Sequence, residues 1–159
     1  ASKSRGLGDV YKRQTLGGVK ITNSIPLIGH SDADVLMHAI TDSLLGPINE
    51  GDIGTLFPPS DKKWKNQDSS YFLRETYLLL KKHKAKINNI DAVIICEQPK
   101  ILNFSKEMIK NISNILEINP LRISIKGKTA ESIGFIGRQE GIAVMVNSSI
   151  QVIENISDD

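Results

Sequence analysis

The stretch INNIDAVIICEQ, residues 87–98, limits most strongly how this chain folds. Its β-branched residues predict a central strand, and Pro99 ends it. Elements of other kinds flank it. TLGGVKIT (15–22) predicts a short strand entered through a glycine pair. After a loop around Pro26, Ser31 is expected to cap a helix running to about Leu45. Asp34 then stands at the third position of a capping box, and Gly46-Pro47 stops the helix. Residues 49–68 predict a long irregular loop rich in Gly, Pro and Asp. Asp68 or Ser69 caps a second helix to about Lys84, with Phe72, Leu73, Tyr77 and Leu80 at helical spacing. Asn103 or Ser105 opens a third helix to about Leu116. LRISIKG (121–127) alternates as a strand, and GIAVMVNSSIQVIE (141–154) holds at least one more. The order β-α-α-β-α-β-β predicts an α+β fold: a small mixed β-sheet with helices packed on one face.

Bulk properties narrow the function. A chain of 159 residues suits one domain with a real core. The net charge of +2 is uneven. Lys3, Arg5, Lys12 and Arg13 against Asp9 put +3 in the first fourteen residues and leave −1 for the rest. That argues against a nucleic-acid surface on the folded body. The single cysteine, Cys96, cannot form an internal disulfide, so nothing points to secretion. No apolar run reaches the roughly 18 residues of a membrane span, and the basic N-terminus lacks the apolar core of a signal peptide. Residues 1–14, ASKSRGLGDVYKRQ, show no clear period. They are expected to be a disordered or non-native segment similar to a translated adaptor, with residues 15–159 forming one domain. A basic arm for an anionic partner is the other reading.

Four stretches carry chemistry. In GHSDADVLMHAITDSLLG (29–46), Asp34, His38 and Asp42 fall every four residues and share one helix face. Val35, Ile40, Leu44 and Leu45 can face a core beside them. The column reads either as a solvated polar face or as a metal ligand, His38, oriented by a carboxylate one turn away. A catalytic zinc needs three protein ligands, so the others must come from elsewhere. His83, in a basic helix end, reads as a surface residue. GDIGTLFPPSD (51–61) builds a rigid loop whose Asp52 and Asp61 either accept hydrogen bonds from a polyol or cap turns. CEQPKIL (96–102) sets a strand end, Pro99 and Lys100 before a helix, where backbone amides can meet a phosphate or a base edge. KGKTAESIGFIGRQEG (126–141) combines Lys126, Lys128, Thr129 and Arg138 with glycines and Glu131, a hard oxygen ligand suited to magnesium. It is neither a Walker A loop nor a dinucleotide fingerprint.

Taken together, HSDADVLMHAITDSLLG, GDIGTLFP..SD and GF.GR.EGIAV, with GGVKI and PKIL, resemble the 2-C-methyl-D-erythritol 2,4-cyclodiphosphate synthase family from about residue 15 to the end. The resemblance implies a homotrimer with active sites between neighbours. It implies a lyase of the non-mevalonate isoprenoid pathway, cytoplasmic in a bacterium or in a plastid-type organelle in a eukaryote. The substrate is a small nucleotide diphosphate, 4-diphosphocytidyl-2-C-methyl-D-erythritol 2-phosphate. Its 2-phosphate attacks the β-phosphorus and CMP leaves. No nucleic acid or membrane partner is implied. His38 matches a ligand of a zinc-type ion. Glu131 matches the residue of a second ion, magnesium or manganese, between the substrate phosphates. His30 and Ser31 match a substrate-binding pair, with His30 near the reacting phosphates. Thr129 matches a hydroxyl that stabilises the transition state. Asp42, Asp52, Gly54, Phe57 and Asp61 match the region around the methylerythritol unit. Cys96, Pro99, Lys100, Ile101, Leu102 and Lys128 match the cytidine and phosphate pocket. Ala130, Phe135 and Arg138 complete the implied substrate contacts.

Two departures stand out. The family carries an Asp-x-His pair on its first strand, supplying two further zinc ligands. Counted back through GGVKI, those positions fall on Ser4 and Gly6, which cannot replace them. The expectation is a family member whose native N-terminus has been replaced. Lys128-Thr129-Ala130 stands where a run of threonines is common. Three alternatives follow. The chain could be a cytidine-nucleotide-binding relative without turnover, a general metal-dependent phosphoesterase, or the tail of a fusion behind a cytidylyltransferase domain.

Overall fold

The computed structural model describes residues 14–21 and 34–153. Strands β1 (Gln14–Leu16) and β2 (Val19–Ile21) form an antiparallel hairpin. Here the expected single strand is corrected. Gly17 and Gly18 take φ +56° and +75°, the two-residue turn that folds a strand back on itself. Gly17 has no room for a side chain either, because an added Cβ would lie 2.7 Å from Met108 Cβ.

Helix α1 spans Val35–Leu45 and buries Leu36, Met37, Ile40, Thr41, Leu44 and Leu45. A second correction concerns its start. Asp34 itself is the cap, its carboxylate accepting from Met37 N at 3.0 Å; Ser31 lies outside the described residues. The stretch 49–68 is also less irregular than expected. It holds a one-turn helix α2 (Ile53–Leu56) and a 3-10 turn, Lys62–Trp64, capped by Asp52 and Asp61 respectively. Helix α3 (Ser69–Lys82) follows its Asp68 cap and buries Phe72, Leu73 and Leu80.

The predicted central strand is β3 (Ala85–Ile95), flanked by β4 (Ile123–Lys128) and β5 (Ala143–Val152). It runs parallel to β4 and antiparallel to β5, so the sheet is mixed. Helix α4 (Ser105–Leu116) is the crossover between the parallel pair. A last one-turn helix, α5 (Gly134–Gly137), precedes β5. Ile90, Ala92 and Ile94 of β3 point into the core with Ile123 and Ile125 of β4, beneath α1, α3 and α4. The fold is therefore α+β with helices over one face of the three-stranded sheet. No helix among the described residues is long and apolar enough to cross a membrane.

Asp34 ties the first elements together. Its carboxylate accepts Gly17 N at 2.9 Å, Gly18 N at 2.7 Å and Met37 N, and is almost wholly buried. Burial pushes this carboxyl above its ordinary range, while the three N–H bonds pull it back. Asp34→Asn places an amide NH2 against one of these donors. It is expected to lower unfolding free energy by about 1–3 kcal/mol. The urea midpoint measures this; an unchanged midpoint would mean that the carboxylate does not hold the hairpin.

Candidate functional site

Two groups of candidate residues emerge, on different parts of the chain. The first lines the start of α1 and the loop after it. His38, half-buried, meets Ser69 Oγ through Nε2 at 3.0 Å, and its ring lies edge-on to Phe72. Ser69 also accepts the Asp34 N–H at 3.3 Å, so one hydroxyl links both helix starts. Burial lowers the His38 pKa, with the Asp34 and Asp42 charges opposing the shift. The imidazole is thus held toward its neutral form, the form that binds metals.

The carboxylates of this group have local partners. Asp42 Oδ1 accepts Ile53 N at 2.9 Å and so pins the following loop to α1. Asp52 accepts Thr55 N at 2.7 Å, and the Thr55 hydrogen bonds hold its pKa low. Asp61 accepts Lys63 N at 3.0 Å. All three are exposed, leaving further lone pairs open to solvent. Gly54 sits beside Asp52 without crowding. Phe57 packs into an aromatic cluster with Trp64 and Phe72 at centroid separations of 5.0 and 4.8 Å. His83 bonds Glu50 at 2.7 Å and belongs to neither group. His30 lies outside the described residues.

The second group lies at the carboxyl ends of β3 and β4. Residues 96–102 and 125–129 enclose a cavity of about 550 Å³. Its two walls touch closely: a Cβ on Gly127 would lie 2.7 Å from Ile101 Cβ. Cys96 N donates to Lys128 O at 2.9 Å and extends the strand pairing to the rim. Cys96 is buried, which pushes its thiol pKa up, so it is a wall rather than a nucleophile. Ile101 is buried, while Lys100, Leu102, Lys128 and Thr129 are exposed. Thr129 Oγ1 donates to Glu131 Oε1 at 3.3 Å. Phe135 is exposed on α5. Arg138 bonds to Glu140 through two hydrogen bonds of 2.9 and 3.3 Å and is not among the residues lining this cavity.

Sequence reasoning passed over two contributors. The sequence marks Ser69 only as a possible helix cap. Glu97, inside CEQPKIL, accepts Ala130 N at 2.8 Å and links the two rims; no pattern in the sequence marks it. Among the described residues, no hydrogen bond or ring contact joins the His38 group to residues 128–131. No cluster of three His, Cys, Asp or Glu that could hold a metal occurs among them. His38 and Glu131 are therefore isolated donors here, and the described residues do not complete a metal site. A larger hollow of about 730 Å³ opens at the far end of the sheet, where Lys81, Lys84, Lys86 and Arg122 surround the ends of α3 and α4. Basic residues suit helix C-termini, which accounts for them there.

The fold and the cavity define a class: an α+β domain with a cleft beyond the carboxyl ends of paired parallel strands, where small-molecule sites commonly form. The chain belongs to the YgbB family, whose model matches residues 7–151. It is 48% identical over 136 residues to the bifunctional enzyme IspD/IspF of Rhodospirillum rubrum, covering 86% of this chain and 35% of that protein. It is 45% identical over 131 residues to the 2-C-methyl-D-erythritol 2,4-cyclodiphosphate synthase of Xylella fastidiosa, covering 82% and 74%. Among solved structures, it matches a CDP complex of IspF from Plasmodium falciparum with a TM-score of 0.79 and 42% identity, over 91% of this chain and 86% of that one. The chain spans about a third of the length of the bifunctional relatives. The resemblance read from the sequence is borne out at the level of the family.

Gly127 and Gly46 give a matched test of the cavity wall. Gly127→Ala forces β4 and the 101–103 turn apart and is expected to cost about 1–3 kcal/mol by overpacking. Gly46→Ala meets no atom within 4 Å and should leave the melting temperature unchanged or slightly raised. Thermal unfolding of the two variants measures the contrast, and equal melting temperatures would contradict it.

Proposed function

We propose that this chain is a 2-C-methyl-D-erythritol 2,4-cyclodiphosphate synthase acting in non-mevalonate isoprenoid precursor biosynthesis. The observation that carries the reading is the cavity formed by residues 96–102 and 125–129. Its family is that of proteins named as this synthase, and one solved relative is a CDP complex. The substrate is 4-diphosphocytidyl-2-C-methyl-D-erythritol 2-phosphate. An oxygen of its 2-phosphate forms a bond to the β-phosphorus. The bond from that phosphorus to the bridging oxygen breaks, and CMP departs with the electron pair.

Both reacting groups belong to the substrate, so the protein need supply no nucleophile. Its task is to hold the two phosphates together, which turns positioning into rate. Cys96, Pro99, Ile101 and Leu102 form the nucleoside pocket in this reading. Lys100 and Lys128 offset phosphate charge, and Thr129 with Ala130 and Glu131 faces the diphosphate. Asp42, Asp52, Gly54, Phe57 and Asp61 surround the polyol, with His30 and Ser31 at the reacting phosphates and Phe135 and Arg138 at the periphery. His38 would contact a zinc-type ion and Glu131 a magnesium-type ion. Neither donor set is complete among the described residues. The reading of a nucleotide binder without turnover gains no support from relatives named as synthases or bifunctional enzymes.

The separation of the His38 group from the cavity supports a site shared between copies of the chain, in a homotrimer. The face of the sheet without helices supports it too. Val93 is half-buried there, and its partner Met145 is 65% exposed. The location proposed is the cytoplasm of a bacterium or a plastid-type organelle.

Incubated with the substrate, zinc and magnesium, a version of the chain carrying an Asp-x-His strand before Thr15 is expected to release CMP and cyclic diphosphate in equal amounts, and the chain with Ser4 and Gly6 at those positions is expected to release far less. Hydrolysis of simple phosphomonoesters instead would favour a general phosphoesterase. His38→Ala and Lys100→Glu are each expected to abolish release. Refolding the two variants together should recover part of it, because some sites then combine an intact His38 with an intact Lys100. No recovery would place both groups in one copy.

A further inference from the structure

Residues 129–131 carry the hydroxyl and carboxylate of the candidate site, yet their backbone is not held by sheet pairing. The loop continues into left-handed geometry at Glu131, φ 51°, and Ser132, φ 63°. Non-glycine residues adopt this region at an energetic cost, and they keep it only where surroundings fix it. On one side the fixing is steric. A Cβ on Gly137 would lie 2.1 Å from the Ser132 carbonyl carbon, so α5 is pressed directly against the loop.

On the other side it is one hydrogen bond. Glu97 Oε1 accepts Ala130 N at 2.8 Å. Among the described residues, no other side chain from outside the segment bonds to residues 129–131. Glu97 stands immediately beyond β3, beside Cys96, whose N–H bonds to Lys128 O. It therefore spans from the end of one parallel strand to the loop beyond the next, across the mouth of the cavity it lines.

We propose that Glu97 is a positioning residue, holding residues 129–131 in the shape that receives the phosphates of a nucleoside diphosphate. The proposal rests on the reading of the cavity as a nucleoside-diphosphate site. Glu97 need not touch the ligand. By occupying the Ala130 N–H, it sets where Thr129 Oγ1 and the Glu131 carboxylate stand relative to Lys128. What matters is reach, since the acceptor oxygen must arrive at one backbone donor. Charge is secondary.

Three substitutions separate reach from charge. Glu97→Gln keeps the acceptor at the same length without the charge. Glu97→Asp keeps the charge but is one methylene short. Glu97→Ala removes both. Two readouts apply to the whole chain: hydrogen exchange at the Ala130 amide and affinity for CDP. The expected result is Ala130 protection retained in Glu97→Gln and lost in Glu97→Asp and Glu97→Ala, with exchange in β3 and β4 unchanged. CDP affinity should stay within about threefold for Gln and fall about tenfold or more for Asp and Ala, in line with loss of one hydrogen bond. Retained protection in Glu97→Ala overturns the positioning role. So does a pattern in which Asp binds CDP normally and Gln does not, because charge would then govern. If Glu97→Ala does not fold, the Gln and Asp pair decides alone. Failure of the unsubstituted chain to bind CDP removes the nucleotide reading, and the Ala130 exchange then shows separately whether Glu97 holds the loop.

Discussion

The Asp34 carboxylate accepts N–H groups from two segments that meet only in the folded chain, the Gly17-Gly18 turn and the first turn of α1. Its own N–H donates to Ser69, so the start of α3 joins the same point. A buried carboxylate is costly unless its lone pairs are filled, and three backbone donors fill them. The hairpin, α1 and α3 are thereby fixed around one residue. His38, one turn along α1, is placed against Ser69 and Phe72 as a consequence. The charge column of α1 thus divides its labour. Asp34 builds the fold, the half-buried His38 meets Ser69 and Phe72, and Asp42 anchors the following loop.

A second constraint acts where β3 and β4 run parallel. Parallel strands joined by a crossover send their following loops to the same edge, and ligands collect there. Here those loops are residues 96–102 and 129–133. Gly127 lets them close against Ile101, and Glu97 bonds across to Ala130. The chemistry proposed for this chain asks little of the protein beyond such placement, because attacking and leaving groups both come with the substrate. A rigid mouth with cations on its rim suits that task better than an activated nucleophile. The buried, inert thiol of Cys96 agrees with this division.

Much of the fold was legible in the sequence. The β-branched run at 87–98 located β3, and helical spacing located α1, α3 and α4 within a few residues. The hairpin was missed because TLGGVKIT is as short as a single strand, although two adjacent glycines also signal a tight turn. The capping box at Ser31 was displaced because Asp34 bonds to a segment that local pattern cannot see. Within the candidate site, CEQPKIL and KGKTAESIG were recognisable as pieces. Their meeting depends on strand register, which pairs Ile95 with Lys128. Glu97 stayed unread because a single glutamate after a strand carries no pattern; only its distance to Ala130 gives it a role.

The measurement that reaches the centre of this account is a crystal structure of the chain grown with CDP. The account predicts the cytosine against residues 96–102, the diphosphate facing Lys128 and Thr129, and the His38 of a neighbouring copy on the far side of the phosphates. CDP bound instead in the hollow ringed by Lys84 and Arg122, or a cavity closed by its own chain with His38 nowhere near it, would contradict the account.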